Sequence, residues 1–370
     1  MLVHVVDPSA YTPPYDHALC AALGRAGARV QLHTSRFDHG ALAPPEGYER
    51  VESFYRHAPA RGPLRRAAKL AEHVPDMLRY HRAARAADVV HLQWLPLQPL
   101  DARLLPARTR EGRRRPVLLT AHDVLPREPR PGQLAGQRRL YERVDGVIVH
   151  SEHGRGRLER ELGLDPARVH VVRHGALTPW EGLPAAPVPT ELAGHDGPVV
   201  LFFGLLRPYK GLDLLLRSWG QAPAEAELWI VGAPRMDVSA LRASSPAGVR
   251  WLTRFVSDGE LQALTRRASL AVLPYREIDQ SGVAFTALGA GLPSLLSDVG
   301  GFPELAATGA AATFPAGDAD ALAAELRRLL GAPERLLEMA AAARVAAGGE
   351  YSWDLLAART IELYRALGAS

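Results

Sequence analysis

Lys210 is one of only two lysines in a chain whose lysine and arginine residues number 44, and the other is Lys69. Arginine stands at nearly every other basic position, so a retained lysine favours a function. Lys210 lies between an apolar strand and an apolar helical pattern, in the turn Gly204-Leu-Leu-Arg207-Pro-Tyr-Lys210-Gly211. Such a turn directs backbone N–H groups and the positive end of a helix at an anion. Arg207 adds a planar fork and Lys210 a compact charge. We interpret the segment as a phosphate-binding turn, with a solvated surface turn as the alternative.

A second group of candidates follows two apolar runs in the first half of the chain. His122 ends the run PVLLTAHD, and Gln93 and Trp94 end the run DVVHLQW. Ligands of parallel sheets bind beyond the carboxyl ends of the strands, which is where these side chains are expected. A single histidine at a strand end is also common as a purely structural residue.

The loop after the first strand, DPSAYTPPYD, carries prolines where many such folds carry glycines. Proline has no N–H to donate, so a phosphate cradle is excluded at this loop. Tyr11, Tyr15 and Asp16 are candidates for a ligand-binding site, because aromatic faces pack against the rings of ligands. Equally, Tyr15 packs the following helix and Asp16 occupies its first turn, where the helix dipole favours an acid.

The elements that position these residues follow from alternating apolar runs and helical patterns. Nearly continuous apolar strands separated by helices predict an α/β protein with two doubly wound, parallel sheets, and a ligand cleft between the two halves. The predicted strands cover residues 2–6, 28–34, 88–94, 116–123, 146–152, 168–175, 199–203, 227–232, 249–252, 270–274 and 293–298. The predicted helices cover residues 15–25, 64–86 (interrupted at Pro75), 211–219, 258–267, 283–290, 318–331 and 351–367.

Five prolines in residues 178–198 mark a change of composition between the halves. We therefore predict a first domain at 1–177, a linker at 178–198 and a second domain at 199–352.

The composition narrows the class of protein. The single cysteine, Cys20, excludes a disulfide framework and a cysteine-based zinc site and fits a reducing cytoplasm. The N-terminus has no signal-peptide pattern, and no apolar run has the length of a membrane span.

Residues 50–115 carry fifteen basic and six acidic residues. This excess indicates either solvated helix faces or contact with anionic lipid headgroups or an acidic substrate. Nothing indicates nucleic-acid binding.

The chain resembles the retaining glycosyltransferases of family 4, also called group 1, which have the two-domain GT-B fold. The resemblance covers nearly the whole chain and rests on an ordered set of segments. These are DVVHLQW, LLTAHDVLP, VIVHSEHGRGRL, VVRHG, the Lys210 turn, YREIDQSGV, GLPSLLSDVGGFPEL and YSWDLLAARTIELY. The resemblance also implies that the last helix, about 353–370, returns to the first domain.

The resemblance implies roles for several residues. Arg207 and Lys210 would hold the diphosphate of a nucleotide-sugar donor, Gly204 would allow close approach, and His122 would face the sugar near its reacting carbon. Cations on the leaving group remove the need for a metal, and no metal site or other cofactor is expected. Asp318 and Asp320 form a D-x-D pair, which a helix N-cap explains better than a metal site.

The segment that follows Tyr275 departs from the family's usual E-x7-E pattern. The sugar-holding role falls to the turn Gln280-Ser281-Gly282-Val283, with either Glu277 or Asp279 as its acidic partner. Asp279 and Ser281 are also typical helix N-caps. Thr286 stands where the second glutamate would contact the ribose. Glu304 either caps a short helix or contacts that ribose.

Together these features predict a cytoplasmic retaining hexosyltransferase of cell-surface polysaccharide or glycolipid synthesis that uses a nucleoside diphosphate sugar and a hydroxyl acceptor. The candidates for acceptor binding are Tyr11, Tyr15, Asp16, Gln93 and Trp94. A lipid-linked saccharide acceptor would suit the basic segment 50–115 and peripheral membrane contact. The alternatives are a nucleotide-sugar epimerase or hydrolase of the same fold, or a non-catalytic partner protein.

Overall fold

The computed structural model describes residues 1–370 except 38–41, 60, 107, 111, 112, 127, 128, 130, 182, 185, 224 and 370. Four of the excepted residues belong to the basic segment 50–115. The contacts divide the chain into two compact units. Unit 1 comprises Met1–His174 and Trp353–Ser370, and unit 2 comprises Gly175–Ser352. The predicted linker 178–198 therefore belongs to unit 2.

Unit 1 alternates strands and helices. In chain order its elements are β1 (Leu2–Asp7), α1 (Pro13–Arg25), β2 (Arg29–Ser35), β3 (Glu49–Phe54), α2 (Arg65–Ala84), β4 (Val89–Leu92), α3 (Gln98–Asp101), β5 (Thr109–Arg110), β6 (Arg113–Arg114), β7 (Val117–Thr120), α4 (Gln133–Arg143), β8 (Gly146–Val149), α5 (Glu152–Leu162), β9 (Val169–Val171) and the C-terminal α13 (Trp353–Ala366).

Unit 2 repeats the alternation. Its elements are β10 (Val199–Phe203), α6 (Leu212–Trp219), β11 (Glu227–Val231), α7 (Ser239–Ala243), β12 (Val249–Leu252), α8 (Asp258–Arg267), β13 (Leu270–Leu273), α9 (Gly282–Gly289), β14 (Ser294–Ser297), α10 (Phe302–Ala306), β15 (Ala311–Phe314), α11 (Ala319–Leu330) and α12 (Pro333–Gly348).

Each unit is built on one parallel sheet. The strand order is β3-β2-β1-β4-β7-β8-β9 in unit 1 and β12-β11-β10-β13-β14-β15 in unit 2. Strand β1 pairs with β2 on one side and with β4 on the other, so the strand order reverses at β1. Strand β10 pairs with β11 and β13 in the same way. Such reversals leave a crevice at the carboxyl ends of the two central strands, where doubly wound folds bind ligands. The predicted α/β class with two doubly wound sheets is confirmed.

Buried aliphatic strands explain why the sequence pattern located most of this architecture. Apolar clusters cover both faces of the unit 1 sheet, and a further cluster packs on the unit 2 sheet. All eleven predicted strands are present. The prediction missed four strands. Of these, β3 and β15 have exposed or half-buried polar residues and lie at sheet edges, and β5 and β6 are two-residue strands that form a separate sheet.

The predicted interruption of a helix at Pro75 is wrong, because α2 continues through it. Pro75 is exposed, so the hydrogen bond lost at proline falls on the solvent side of the helix. His73, Asp76, Met77 and Tyr80 on the opposite face are buried and hold the helix against the sheet. Packing of this face therefore outweighs the local cost of proline.

Among the described residues, no helix combines the length and the apolar character that crossing a membrane requires. The described residues also contain no group of three or more His, Cys, Asp or Glu side chains arranged to hold a metal ion. Asp318 is the N-cap of α11 and accepts hydrogen bonds from the Asp320 and Ala321 amides.

Candidate functional site

In unit 2 the segment after β10 forms a tight turn around Lys210. Residues Pro208–Lys210 make one turn of 3-10 helix, and Gly211 then turns the chain into α6. Gly211 has a φ of +69°, and a methyl group placed on it would lie 1.9 Å from the carbonyl oxygen of Pro274. Only glycine fits there, so this turn is packed directly against the end of β13.

The Lys210 ammonium is buried at the end of the central strand. The side chain is 4% exposed, and Nζ lies 5.2 Å from the ring centroid of Tyr275. A methyl group placed on Gly204 would lie 3.0 Å from this Nζ and 2.9 Å from Cγ2 of Val283. Gly204, Lys210 and Val283, which the sequence assigned to one site, therefore converge. Val283 is the second residue of α9, so the positive end of that helix adjoins the lysine.

Arg207 begins this turn and is half-buried. Within the described part of the chain, no carboxylate lies within ion-pair distance of its guanidinium. The turn therefore contains two basic side chains, Arg207 and Lys210. The turn thus carries positive charge suited to a diphosphate.

The turn after β13 is tied to the turn after β10. The Arg276 amide donates to the Tyr209 carbonyl at 2.8 Å, and the Arg276 guanidinium donates to the Pro208 carbonyl at 2.9 Å. The same guanidinium forms an ion pair with Asp213 of α6 at 2.6 Å. Arg276 thus clamps the two turns together, a role that the sequence analysis did not assign to it.

The two candidate carboxylates of this turn differ in burial: Glu277 is exposed and Asp279 is 7% exposed. The Asp279 carbonyl accepts from the Gly301 amide at 3.3 Å, and Gly300 packs on the Ile278 carbonyl with a φ of +57°. The turn at Gly300 and Gly301 is thereby held against the acidic segment.

Helix α9 begins at the predicted sugar-holding turn. Ser281 is its N-cap, because its hydroxyl accepts from the Ala284 amide at 3.3 Å. The first backbone hydrogen bond of the helix joins the Phe285 amide to the Ser281 carbonyl. The earlier Gly282 and Val283 amides face the N-terminus, where helices leave N–H groups available to a ligand, and Gln280 is half-buried beside them.

Two residues were predicted near the ribose. Thr286 is 7% exposed, and its hydroxyl donates to the Gly282 carbonyl of its own helix at 2.8 Å. That donor is therefore already used within the protein. Glu304 is half-buried in the first turn of α10, and the N-cap of that helix, Gly301, has no side chain with which to cap it.

In unit 1 the predicted residues form a stack of rings at the carboxyl ends of β4 and β7. The Trp94 ring lies parallel to the His122 ring, with centroids 5.0 Å apart and an interplanar angle of 10°. The exposed Tyr11 ring also packs on the Trp94 ring, with centroids 4.6 Å apart. The Trp94 Nε1 donates to the Thr12 hydroxyl at 3.0 Å, which fixes the indole to the loop after β1.

Tyr15 closes the stack from below and is 6% exposed. Its ring meets His122 edge-on at 4.6 Å and also contacts His150, His174 and Trp353. It therefore supports the ring of His122. His150 and His174 follow two further apolar runs of the sequence, GVIV and RVHVVR, and both join this cluster.

Asp16 is buried at 1% exposure beside the equally buried Asp7. Burial raises the pKa of Asp16 well above its ordinary value, and Asp7 raises it further. Burial also raises the pKa of Asp7, whereas the hydrogen bonds that its carboxylate accepts from the Tyr11 and Thr12 amides lower it. Asp16 thus has the more strongly raised pKa of the two carboxyl groups, and Asp7 accepts the amide hydrogen bonds that hold the loop. This supports the structural alternative for Asp16.

A cavity of about 160 Å³ opens beside His122. The His122 Nε2 donates to the Gln93 Oε1 at 3.0 Å. Within the described residues the Gln93 Nε2 and the Gln137 Oε1 are buried without a partner, and both side chains line the cavity. One is a donor and the other an acceptor, so a hydroxyl group could bind both. Gln137, on α4, carries no sequence motif and was not predicted.

His122 and His150 are neutral near pH 7. Burial lowers the pKa of His122 well below its ordinary value, with smaller contributions from His150, His174 and His91. Burial also lowers the pKa of His150 to about 4. His122 therefore acts here as a neutral hydrogen-bond donor and not as a cation.

Comparison with known proteins identifies the family. The profile of the family described as "Glycosyl transferases group 1" matches residues 197–332, and that of "Glycosyl transferase 4-like domain" matches residues 14–175. The α-maltose-1-phosphate synthase of Mycolicibacterium smegmatis is 31% identical over 287 residues, which are 69% of this chain and 74% of the relative. The chain belongs to the group 1 glycosyltransferases.

Another group 1 relative matches over a longer span. The D-inositol 3-phosphate glycosyltransferase of Xylanimonas cellulosilytica is 26% identical over 386 residues, covering 94% of this chain and 89% of the relative. The names of both relatives contain a phosphorylated sugar or polyol.

Solved structures share the GT-B fold of this glycosyltransferase. Sucrose-phosphate synthase from Thermosynechococcus elongatus superposes with a TM-score of 0.74 at 20% identity, covering 99% of both chains. The Anabaena protein HepE in complex with UDP-glucose superposes with a TM-score of 0.71 at 17% identity, covering 99% of this chain and 100% of HepE. The predicted fold and family are therefore confirmed.

Proposed function

We propose that this glycosyltransferase moves a hexosyl group from a nucleoside diphosphate sugar to a hydroxyl acceptor, with retention of configuration and without a metal ion. The observation that carries the proposal is the convergence of the buried Lys210 ammonium, Gly204 and the N-terminus of α9. A buried cation at a helix N-terminus is a site for the diphosphate of such a donor.

The diphosphate turn lowers the barrier by stabilising the leaving group. During transfer the bond between the sugar C1 and the diphosphate oxygen breaks, and negative charge accumulates on that oxygen. Lys210, Arg207 and the α9 amides offer positive charge that is already oriented before the reaction. Burial of Lys210 strengthens this interaction, because the local dielectric is lower than in water. We therefore propose that no metal ion is needed.

The acceptor hydroxyl forms the new bond to C1, and its proton passes to the departing phosphate oxygen. We propose that the acceptor binds in unit 1, with its ring against Tyr11 and Trp94 and a hydroxyl near Gln93 and Gln137. His122 is buried and neutral, so its contribution is hydrogen bonding and orientation.

The remaining donor contacts come from residues 277–283 and 304. We propose that Gln280, Ser281 and the first α9 amides hold the sugar, with Glu277 or Asp279 as the acidic partner. The variants Glu277→Gln and Asp279→Asn distinguish the two carboxylates. Replacing the carboxylate that contacts the sugar should lower kcat, and replacing the other should leave kcat unchanged. Glu304 is proposed to contact the ribose. Because HepE was solved with UDP-glucose, UDP-glucose is the first donor to test.

The experiment that tests the proposal is a thermal shift series. UDP, GDP, ADP, dTDP and their glucose conjugates are added to wild type, Lys210→Ala and Arg242→Ala. Arg242 is an exposed cation of unit 2 outside the turn and serves as the matched control. A ligand that binds only the folded state raises the midpoint. We expect one nucleotide to raise the midpoint of wild type and Arg242→Ala but not of Lys210→Ala.

Turnover then tests transfer itself. With the stabilising donor and a saccharide acceptor, Lys210→Ala is expected to lower kcat by roughly 10²–10³-fold, as loss of one oriented donor does elsewhere. Activity that survives a chelator supports metal independence. Consumption of the donor without a transfer product would indicate an epimerase or hydrolase, and no nucleotide binding would indicate a non-catalytic partner. Cytoplasmic location and membrane contact through residues 50–115 stay predictions.

A further inference from the structure

Helix α12 of unit 2 carries an exposed apolar face. The side of the helix that packs on unit 2 has three buried residues, Met339, Ala343 and Ala346. The opposite side carries Leu337, Ala341 and Val345, which are exposed and follow one another at intervals of four residues, so they lie on one face. Leu337 is 71% exposed, and Val345, at 76%, is the most exposed large apolar side chain of the described residues.

Val345 is an unfavourable residue for a solvated position of this helix. Every other residue from position 334 to 347 is Ala, Leu, Met, Glu or Arg, which are good helix formers. A β-branched side chain loses rotamer freedom in a helix and therefore lowers its stability. Exposed to water, Val345 has no packing contact that offsets this cost. Its presence therefore indicates that another surface covers this face.

Two opposite charges flank the apolar face. Each residue turns a helix by about 100°, which places Glu338 on one side of Ala341 and Arg344 on the other. In the described part of unit 2, no carboxylate lies within ion-pair distance of Arg344, and its stem packs on Gly291. The Oε2 of Glu338 accepts a hydrogen bond from Arg335 at 2.8 Å, which leaves Oε1 for a second cation. The face thus presents both signs of charge to a partner.

The residues of the face are arranged symmetrically about Ala341. Leu337 and Val345 lie four positions before and after it, and Glu338 and Arg344 lie three positions before and after it. A two-fold axis through Ala341, perpendicular to the helix, would place a second α12 antiparallel to the first. Leu337 would then face the partner's Val345, and Glu338 would face the partner's Arg344. Such self-complementarity is what an isologous interface between identical chains requires.

The antiparallel arrangement is the one that the charges favour. In a parallel pair each residue lies level with its own copy, so Glu338 and the partner's Arg344 would be separated by about 9 Å along the axis. In the antiparallel pair Glu334 faces Gly348 of the partner subunit, so no like charges are opposed. The small side chain of Ala341 lies at the centre, where it allows the two helices to approach closely.

We propose that the α12 face is a homodimer interface, in which two copies of this chain pair their α12 helices antiparallel about Ala341. The proposal does not depend on the proposed transferase function. Helix α12 has 16 residues and a length of about 24 Å, so this contact is smaller than a standard interface of about 1,600 Å². The dimer is therefore concentration-dependent, with a Kd of roughly 10–100 µM. The two charge pairs fix its orientation.

Disulfide cross-linking of the full chain tests the geometry. Ala341→Cys places a thiol on the two-fold axis, close to its own copy, and the native Cys20 is buried. Ala324→Cys, at an exposed alanine of α11, is the matched control. With dioxygen as oxidant, we expect Ala341→Cys to form disulfide-linked dimers much faster than Ala324→Cys.

Two further cysteine variants test the direction of the helices. A mixture of Leu337→Cys and Val345→Cys proteins should form the mixed disulfide, because these positions face each other in the antiparallel pair. Leu337→Cys alone should form little disulfide, since its two copies lie about 12 Å apart along the axis. Rapid self-coupling of Leu337→Cys would indicate a parallel pair and would overturn the proposed arrangement.

Sedimentation equilibrium of the chain without added cysteines tests the charge pairing. Arg344→Glu and Glu338→Arg should each raise the dimer Kd by roughly tenfold, because each variant opposes like charges. The double variant restores opposite charges across the axis and should return the Kd to within about threefold of wild type. Arg242→Glu, at an exposed arginine of α7, is the control and should leave the Kd unchanged.

The proposal is overturned if the chain stays monomeric up to about 1 mM, which would leave the face to a different protein. It is also overturned if Ala341→Cys and Ala324→Cys cross-link equally, or if the double charge variant does not recover. Circular dichroism checks that each variant folds. The charge variants should keep the nucleotide-induced thermal shift, so failure of the dimer and failure of the proposed function are distinguishable.

Discussion

The Lys210 ammonium lies over the ring of Tyr275, with Nζ 5.2 Å from the ring centroid, so the turns after the two central strands of unit 2 meet at one buried cation. Gly204 faces the same ammonium, and Gly232 packs on the Gly204 carbonyl so closely that a methyl group there would lie 1.9 Å from it. The contact of Gly232 with Gly204 and the contact of Gly204 with the ammonium thus determine the position of Lys210 Nζ.

The first prediction concerns Gly204→Ala. The new methyl group would lie 3.0 Å from the Lys210 Nζ, and the φ of +95° adds backbone strain of about 1–3 kcal/mol. We expect lower stability together with loss of nucleotide binding, because the ammonium must move. Gly317→Ala is the matched control, since Gly317 has a φ of +84° but nothing within 4 Å of an added methyl group. Equal nucleotide affinities in the two variants, measured by titration, would contradict the prediction.

The second prediction concerns acid stability. Burial lowers the pKa of His4 and His150 to about 4 and of His33 and His91 to about 3. In the unfolded chain these imidazoles titrate near 6.5, so below that pH the unfolded state binds more protons and stability falls. Each such histidine costs about 1.4 kcal/mol per pH unit as the pH drops from about 6.5 towards 4.

Unit 1 should therefore unfold in mild acid before its carboxylates titrate. Denaturant titrations at several pH values, followed by circular dichroism, measure the slope. Replacing His91 by glutamine should reduce that slope, because one of the titrating groups is removed. A free energy of unfolding that stays constant from about pH 6.5 to 5 would contradict the pKa directions.

The third prediction compares the loss of His122 with the loss of Gln93, which accepts a hydrogen bond from it. His122→Ala should lower kcat by roughly 10²–10³-fold, as loss of an oriented hydrogen-bond donor does. Gln93→Leu removes the acceptor of the His122 Nε2 hydrogen bond at 3.0 Å, and a loss of about tenfold is expected. Both variants should keep the nucleotide-induced thermal shift. Because His122 is neutral near pH 7, the wild-type kcat should not change with pH between about 7 and 8.

The fourth prediction concerns the ribose. The Thr286 hydroxyl already donates to the Gly282 carbonyl, so Thr286→Val should change nucleotide affinity by less than about threefold. Glu304→Gln should weaken affinity by about tenfold, because a carboxylate accepts two hydroxyl hydrogen bonds more strongly than an amide does. Calorimetry with the stabilising nucleotide measures both constants. The reverse order of effects would assign the ribose contact to Thr286.

The sequence by itself determined the strands, their order of succession and the two central turns. Buried parallel strands are continuous apolar runs, so VVLFF and LAVLP were recognisable without any tertiary information. The edge strand β3 was not, because most of its residues are exposed or half-buried and carry no apolar run. Glycines at Gly204 and Gly211 were readable as turns, since local conformation alone requires them.

Only the tertiary structure decided which side chains meet. Lys69 belongs to the predicted helix 64–86, yet its Nζ lies over the ring of Tyr55, fourteen positions earlier in the chain. Gln137 carries no motif and shares a cavity with Gln93 because α4 packs beside the end of β4. Periodicity reports which face of an element is buried but not which distant element covers it. The ring stack around His122 therefore forms only when parallel strands bring their carboxyl ends to one edge of the sheet.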